Sequence, residues 1–217
     1  MSLEKQLLEG LDKLEVGLPE ERGRITTYLL QYIHFLDKWN RVHNLTAVRK
    51  PEEMVTKHVL DSLTLLPVIS GTHHADVGAG AGLPGIPLAI VRSDWHLTLI
   101  ESNQKKAAFL KQGCIELALK NIEVVCERAE RFFPSEKFDI VISRAFADLS
   151  TFVKSANHLC AKHSKSRLIA MKGRFPDAEL MQLPAQFEVE KVLRVMVPGL
   201  RAARHLIVIK PDLGNRD

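Results

Sequence analysis

Cysteine is scarce in this chain: Cys114, Cys126 and Cys160 are the only three in 217 residues, an odd number with no CxxC spacing. A disulfide framework or a cysteine zinc cluster does not fit that pattern, and reduced structural thiols are expected. Long apolar runs are missing too. No stretch approaches the roughly 18 residues that span a bilayer, and Met1-Ser2-Leu3-Glu4-Lys5 leads into mixed-charge amphipathic sequence instead of an apolar signal core. The chain is therefore expected in the cytoplasm, away from membranes. Twelve glycines and ten prolines are too few for collagen or low-complexity sequence, and 46% hydrophobic residues beside 26% charged ones exclude disorder. Metal-binding and triad signatures are lacking as well. His73-His74, adjacent on an extended segment, point to opposite faces and cannot easily chelate one ion, so they are read as loop histidines and no metal is expected.

What is present is one domain's length with room for an appendage, and a charge that is small in total but unevenly spread. The net +4 divides into −2 over residues 1–150 and +6 over residues 151–217. Between Asp148 and Asp177 stand Lys154, Lys162, Lys165, Arg167, Lys172 and Arg174 with no acid among them. Such a face suits a polyanion like nucleic acid, bound in a salt-dependent way; the alternative is a solvated surface.

Helical spacing of Leu3, Leu7, Leu8, Leu11 and Leu14 predicts a first helix, and a Gly17-Leu18-Pro19 break separates it from a second over Ile25 to Trp39. Pro51, followed by Glu52 and Glu53, opens a third that runs toward Leu66. From His73 short apolar strands alternate with helical stretches, the pattern of a parallel α/β sheet. Strands are predicted near 75–77, 97–100, 123–126, 139–143, 168–171, 189–197 and 205–210. The last two are joined at hairpin length around Pro198-Gly199-Leu200, so one of them must run antiparallel to the rest. The expected architecture is a helical extension over residues 1–70 on an α/β, Rossmann-like domain over 71–217. Its sheet has seven mostly parallel strands with helices on both faces, and the whole forms one compact unit.

The segment Asp76-Val77-Gly78-Ala79-Gly80-Ala81-Gly82-Leu83-Pro84-Gly85 sits at the carboxyl end of the first strand, where such sheets bind nucleotide-like cofactors. Gly80, Gly82 and Gly85 satisfy the dinucleotide GxGxxG of an NAD(P)-dependent oxidoreductase. Asp76, Gly78, Gly80 and Gly82 equally satisfy the DxGxGxG of S-adenosylmethionine enzymes. Charge favours the second reading. A carboxylate two residues before the first glycine repels pyrophosphate but suits a donor bearing a sulfonium and an ammonium, and Pro84 removes an amide that a phosphate would want. Glu101 ends the second strand 23 residues after Gly78, the spacing of an acid that holds ribose hydroxyls; capping the next helix is its alternative role. Arg128-Ala129-Glu130-Arg131 follows the third strand, where methyl-donor folds pass over the adenine. The fourth strand delivers Arg144-Ala145-Phe146-Ala147-Asp148 beside the donor's methyl group.

That fourth-strand end lacks an Asn/Asp-Pro-Pro-Tyr/Phe string for exocyclic amines, and no cysteine follows a proline for attack on a pyrimidine. An arginine and a phenylalanine remain. They suit a target that is already nucleophilic, such as guanine N7, with Arg144 on the Hoogsteen edge and Phe146 stacked on a base. A plain pairing of Arg144 with Asp148 is the alternative.

Taken together, several strings resemble the bacterial 16S rRNA guanine-N7 methyltransferases, the RsmG or glucose-inhibited division protein B family. They are Lys38-Trp39-Asn40 with Asn44-Leu45-Thr46, His58-Val59-Leu60-Asp61-Ser62, Gly82-Leu83-Pro84-Gly85-Ile86-Pro87-Leu88, Ser143-Arg144-Ala145, Lys172-Gly173 and Arg204-His205-Leu206. The resemblance covers about residues 38–210. It implies a class I S-adenosylmethionine-dependent methyltransferase that methylates N7 of guanine 527 in the 530 loop of 16S rRNA by direct attack on the sulfonium methyl. It further implies that Gly78, Leu83, Ala129, Glu130 and Arg144 hold the donor, with Asp76, Gly80 and Glu101 beside them. Arg144 is the catalytic candidate, and Lys172, Arg174, Arg201 and Arg204 are expected on an RNA-facing rim. The chain departs from the family's usual pattern at Ala79, where a hydroxyl residue is common, and at Glu101, where Asp is common. A monomer partnered by the small ribosomal subunit is expected; a non-catalytic RNA-binding assembly factor is the alternative outside enzymes.

Overall fold

The computed structural model of the chain describes residues 2–14, 21–144, 146 and 148–214. The expected Gly17-Leu18-Pro19 break and the alanines Ala145 and Ala147 lie outside them. Helix α1 (Leu3–Leu14) starts on Ser2, whose hydroxyl accepts from the Lys5 amide, and buries Leu7, Gly10 and Leu11. Gly10 is needed for close approach, because a Cβ there would strike the Leu60 side chain. Helix α2 (Arg22–His43) buries Ile25, Leu29, Tyr32, Ile33, Leu36 and Asn40 at helical spacing and ends on Asn44 in the left-handed region, φ 51°.

The third expected helix is not uniform. It runs as α3 (Pro51–Met54), a π-helical turn (Val55–Leu60) and α4 (Asp61–Leu63). Widened turns of this kind concentrate at functional sites, and this one borders the cavity described below.

Seven strands follow: β1 (His73–Val77), β2 (His96–Ile100), β3 (Ile122–Val125), β4 (Ile140–Arg144), β5 (Arg167–Lys172), β6 (Glu188–Val195) and β7 (Arg204–Lys210). They form one sheet in the order β3-β2-β1-β4-β5-β7-β6, in which β7 is antiparallel to both its neighbours. The architecture is the expected Rossmann-like one. Alternation divides the strands between two cores: Ile140, Ile142, Ile169 and Met171 face one layer, and Val141, Leu168 and Ala170 face the other. On the first side pack α1 to α4 together with α5 (Gly85–Val91) and α6 (Gln104–Glu116); on the second packs α7 (Leu149–Ala156). Phe35 of α2 stacks on Phe109 of α6 with ring centroids 5.1 Å apart, so the amino-terminal helices share the core of the sheet domain.

His73 and His74 are not loop residues. The sheet begins two residues earlier than expected, and His74 on β1 is fully buried with its ring edge-on to Trp95. Burial holds the His74 imidazole at a pKa of about 4.

Candidate active site

Strand order reverses between β1 and β4, so the carboxyl ends of these two strands open a crevice, and the glycine loop lies there. Gly78, Gly80 and Gly82 all have positive φ, at 73°, 56° and 81°. Their surroundings differ. A Cβ on Gly82 would meet Ile86 and Leu110, and one on Gly85 would meet Leu99 and the Asp76 carboxylate, so these two glycines serve packing. A Cβ on Gly78 or Gly80 would project into nearly open space; among the described residues the near atoms are Phe146 at 3.9 Å and the Gly78 carbonyl at 3.7 Å, respectively. Those two positions present bare backbone to a ligand.

Two acids hold the loop. Asp76 is fully buried; its Oδ2 accepts from the Gly85 amide at 2.9 Å, and among the described residues its Oδ1 has no partner. Burial pushes this carboxyl up to about 7, against the pull of the Gly85 amide and the Arg144 charge. Glu101 accepts from the Gly80 amide through Oε2 (2.9 Å) and from the Asn103 amide through Oε1 (2.8 Å). Each oxygen keeps a second lone pair for a hydroxyl donor. The helix-capping role falls to Asn103, which accepts from Lys105 and Lys106. From the other side, the Tyr32 hydroxyl of α2 donates to the Ala81 carbonyl at 2.7 Å, a buried bond that no sequence motif announced.

Two cavities flank the end of β4. The smaller, about 120 Å³, is lined by Val77, Gly78, Ile100, Ser102, Ala129, Glu130 and Phe146 among others. Ala129 and Glu130 lie on a 3₁₀ turn, Ala129–Arg131, with Glu130 anchored by the Ser155 hydroxyl at 2.9 Å. Phe146, expected against a target base, thus lines the same cavity as Gly78. Leu83 and Asp76 line neither cavity: the Leu83 side chain is in the core, and Asp76 lies under the loop.

The larger cavity, about 370 Å³, is lined by Val48, Lys57, His58, Asp61, Arg144, Met171, Lys172, Gly173 and Arg204. Arg144 donates through Nη1 to the Lys57 carbonyl (3.1 Å) and lies 3.4 Å from Asp61 Oδ2. Asp148 is not its partner; it caps α7 instead, accepting from Thr151 at 2.7 Å. His58 is committed at both ring nitrogens, with Nδ1 on the Lys57 carbonyl (2.9 Å) and Nε2 on the Thr46 hydroxyl (2.9 Å). Burial, reinforced by the Arg144 charge, lowers its pKa to about 4, so the ring is neutral. The Asn40 side chain closes this loop by donating to the Val48 carbonyl and accepting from the Thr46 amide, which gives the Trp-Asn and Asn-Leu-Thr strings a structural task.

The four basic residues expected on a rim divide into two pairs. Lys172 is ion-paired with Glu179 at 2.7 Å and Arg204 with Asp61 at 3.0 Å, both at the large cavity. Arg174 and Arg201 are exposed and line neither cavity.

A glycine cradle over a buried acid, at the switch point of a seven-stranded sheet whose β7 runs antiparallel, defines a class I S-adenosylmethionine-dependent methyltransferase. Solved structures agree on the fold. An L11 methylase structure from Lactobacillus delbrueckii superposes with a TM-score of 0.53 over 70% of this chain and 76% of its own, at 13% identity. A precorrin-6y C5,15-methyltransferase structure from Geobacter metallireducens gives 0.52 over 78% and 91%, at 14% identity. The chain belongs to the rRNA small subunit methyltransferase G family, GidB, which matches residues 25–207. Two proteins named ribosomal RNA small subunit methyltransferase G are each 53% identical to it. The one from Nitrosomonas eutropha aligns over 97% of this chain and 98% of its own length, and the one from Nitrosomonas europaea over 99% and 100%. Family membership sets aside the dinucleotide oxidoreductase.

Proposed function

We propose that the chain methylates N7 of a guanine in 16S rRNA, the one at position 527 in the 530 loop, from S-adenosylmethionine. The donor, when bound, supplies a methyl group activated by its sulfonium. Gly78 and Gly80 give it bare backbone, Glu101 takes its ribose hydroxyls, Ala129 and Glu130 border its adenine, and Leu83 contributes through the loop backbone. A cationic donor above Asp76 favours the ionised carboxylate that burial alone disfavours.

One observation carries the choice of N7: the acid-base groups of the large cavity are all engaged. His58 is neutral with both nitrogens bonded, Asp61 is shared by two arginines, and Lys57 and Lys172 are held by Glu53 and Glu179. Among the described residues, none there is free to remove a proton. Guanine N7 carries none, so orientation and electrostatics suffice. Arg144 enters the large cavity while Phe146, two residues on, enters the small one, so the end of β4 touches both halves of the reaction. Arg144 is assigned to both ligands: it contacts the donor beside its methyl group, and its remaining N–H donors match O6 of the guanine while leaving the N7 lone pair clear for attack. Lys172 and Arg204 flank the base, and Arg174 and Arg201 engage phosphates farther out.

Calorimetric titration with S-adenosylmethionine, followed by transfer of labelled methyl to naked 16S rRNA and to 30S particles, tests the reading. Micromolar donor binding and transfer to at least one RNA substrate are expected, both lowered at least tenfold by Arg144→Ala. Donor binding with no transfer to either substrate would make the chain a non-catalytic RNA-binding protein.

A further inference from the structure

Asp61 is 3% exposed and has two cationic partners, Arg144 on the central strand β4 and Arg204 on β7, with β5 between them. Its Oδ1 accepts from Arg204 Nε at 3.0 Å, and its Oδ2 faces Arg144 Nη1 at 3.4 Å. Each arginine has one further anchor, the Lys57 carbonyl for Arg144 and the Ala203 carbonyl for Arg204. Among the described residues, Arg144 Nε and Nη2 and Arg204 Nη2 make no other intramolecular hydrogen bond. The trio therefore keeps one net positive charge and three donor groups at a cavity wall. A buried carboxylate that loses one of two partners leans on the other, and two guanidinium groups that lose the carboxylate repel each other. The state of one arginine thus depends on the other, though they stand on β4 and β7.

We propose that Asp61 is a positioning residue that ties the donor contact Arg144 to the RNA contact Arg204, so both ligands draw on one shared carboxylate. The link rests on the assignment of those two arginines made above. Its consequence is specific. Losing Arg204, on the RNA side, draws Arg144 onto the unshared carboxylate and away from the donor. A residue that only shaped the fold would not produce this.

The test is a double-substitution cycle read in donor affinity, by calorimetry on RNA-free protein, for wild type, Asp61→Asn, Arg204→Met and the double variant. Thermal melting checks that each variant is folded. Arg204→Met is expected to weaken donor binding about three- to tenfold when Asp61 is present and to leave it unchanged in the Asp61→Asn background. An equal effect in both backgrounds, or no effect in either, overturns the proposal. If Asp61→Asn does not fold, Arg204→Met is compared with Arg204→Lys: loss with Met and recovery with Lys supports the link, and equal values overturn it. Arg144→Ala in the same titration separates the two levels of the argument. If it binds donor as wild type does, the donor contact itself is misassigned and the link falls with it.

Discussion

Asp76 shows how a single carboxyl can trade stability for binding. Its pKa in the fold, about 7, lies above its ordinary value of 3.8. The folded state therefore holds the proton more tightly, and the stability this gives is complete below about pH 4 and lost as pH rises to about 7. Asp76→Asn is expected to raise the melting temperature of the donor-free protein above pH 7, with little change below pH 4, and to weaken donor binding. A pH series of melting curves checks this. His58 and His74 act with the opposite sign. Each is held at about 4 against the usual 6.5, so the stability they contribute is present above pH 6.5 and lost as pH falls toward 4. A steady loss of stability across that interval is the expected result in the same series. Asp76, Gly78 and Glu101 were legible in the sequence because their spacing is local. Asp61, His58 and Tyr32 were not legible as site residues, because their partners stand 83, 12 and 49 positions away and only folding brings them together.

At the scale of the elements, α2 braces the glycine loop through one hydroxyl. Removing the Tyr32–Ala81 bond leaves a buried carbonyl without a donor, so Tyr32→Phe is expected to cost about 1–2 kcal/mol, measured by denaturant unfolding, and to weaken donor binding as the loop loosens. The periodic leucines made α1 and α2 readable, and Pro51 marked the start of the third helix. The π-helical turn within that helix escaped detection because nothing in Val55–Leu60 breaks a helix by propensity. It is seen only where Lys57, His58 and Asp61 meet Arg144. His73-His74 was misplaced at the opposite kind of boundary, since two histidines look polar while His74 packs edge-on against Trp95.

Across the whole molecule, the strand spacing and the final hairpin made the sheet legible. The two layers follow from alternation along each strand. The basic final third was also visible, but the division of its four rim candidates was not: Lys172 and Arg204 are tied down at the cavity, and Arg174 and Arg201 stand exposed. Replacing both exposed arginines with alanine is expected to weaken RNA binding at all sequences alike and to lower the slope of log affinity against log salt by about two. Binding titrations at four or five salt concentrations measure it. The site of methylation remains the most direct test. After reaction with 16S rRNA, borohydride reduction and aniline scission cut the chain at N7-methylguanine, and primer extension locates the cut. One cut, at guanine 527 and only with donor present, is the expected result; methyl label in the RNA with no cut there would contradict N7 transfer at that base.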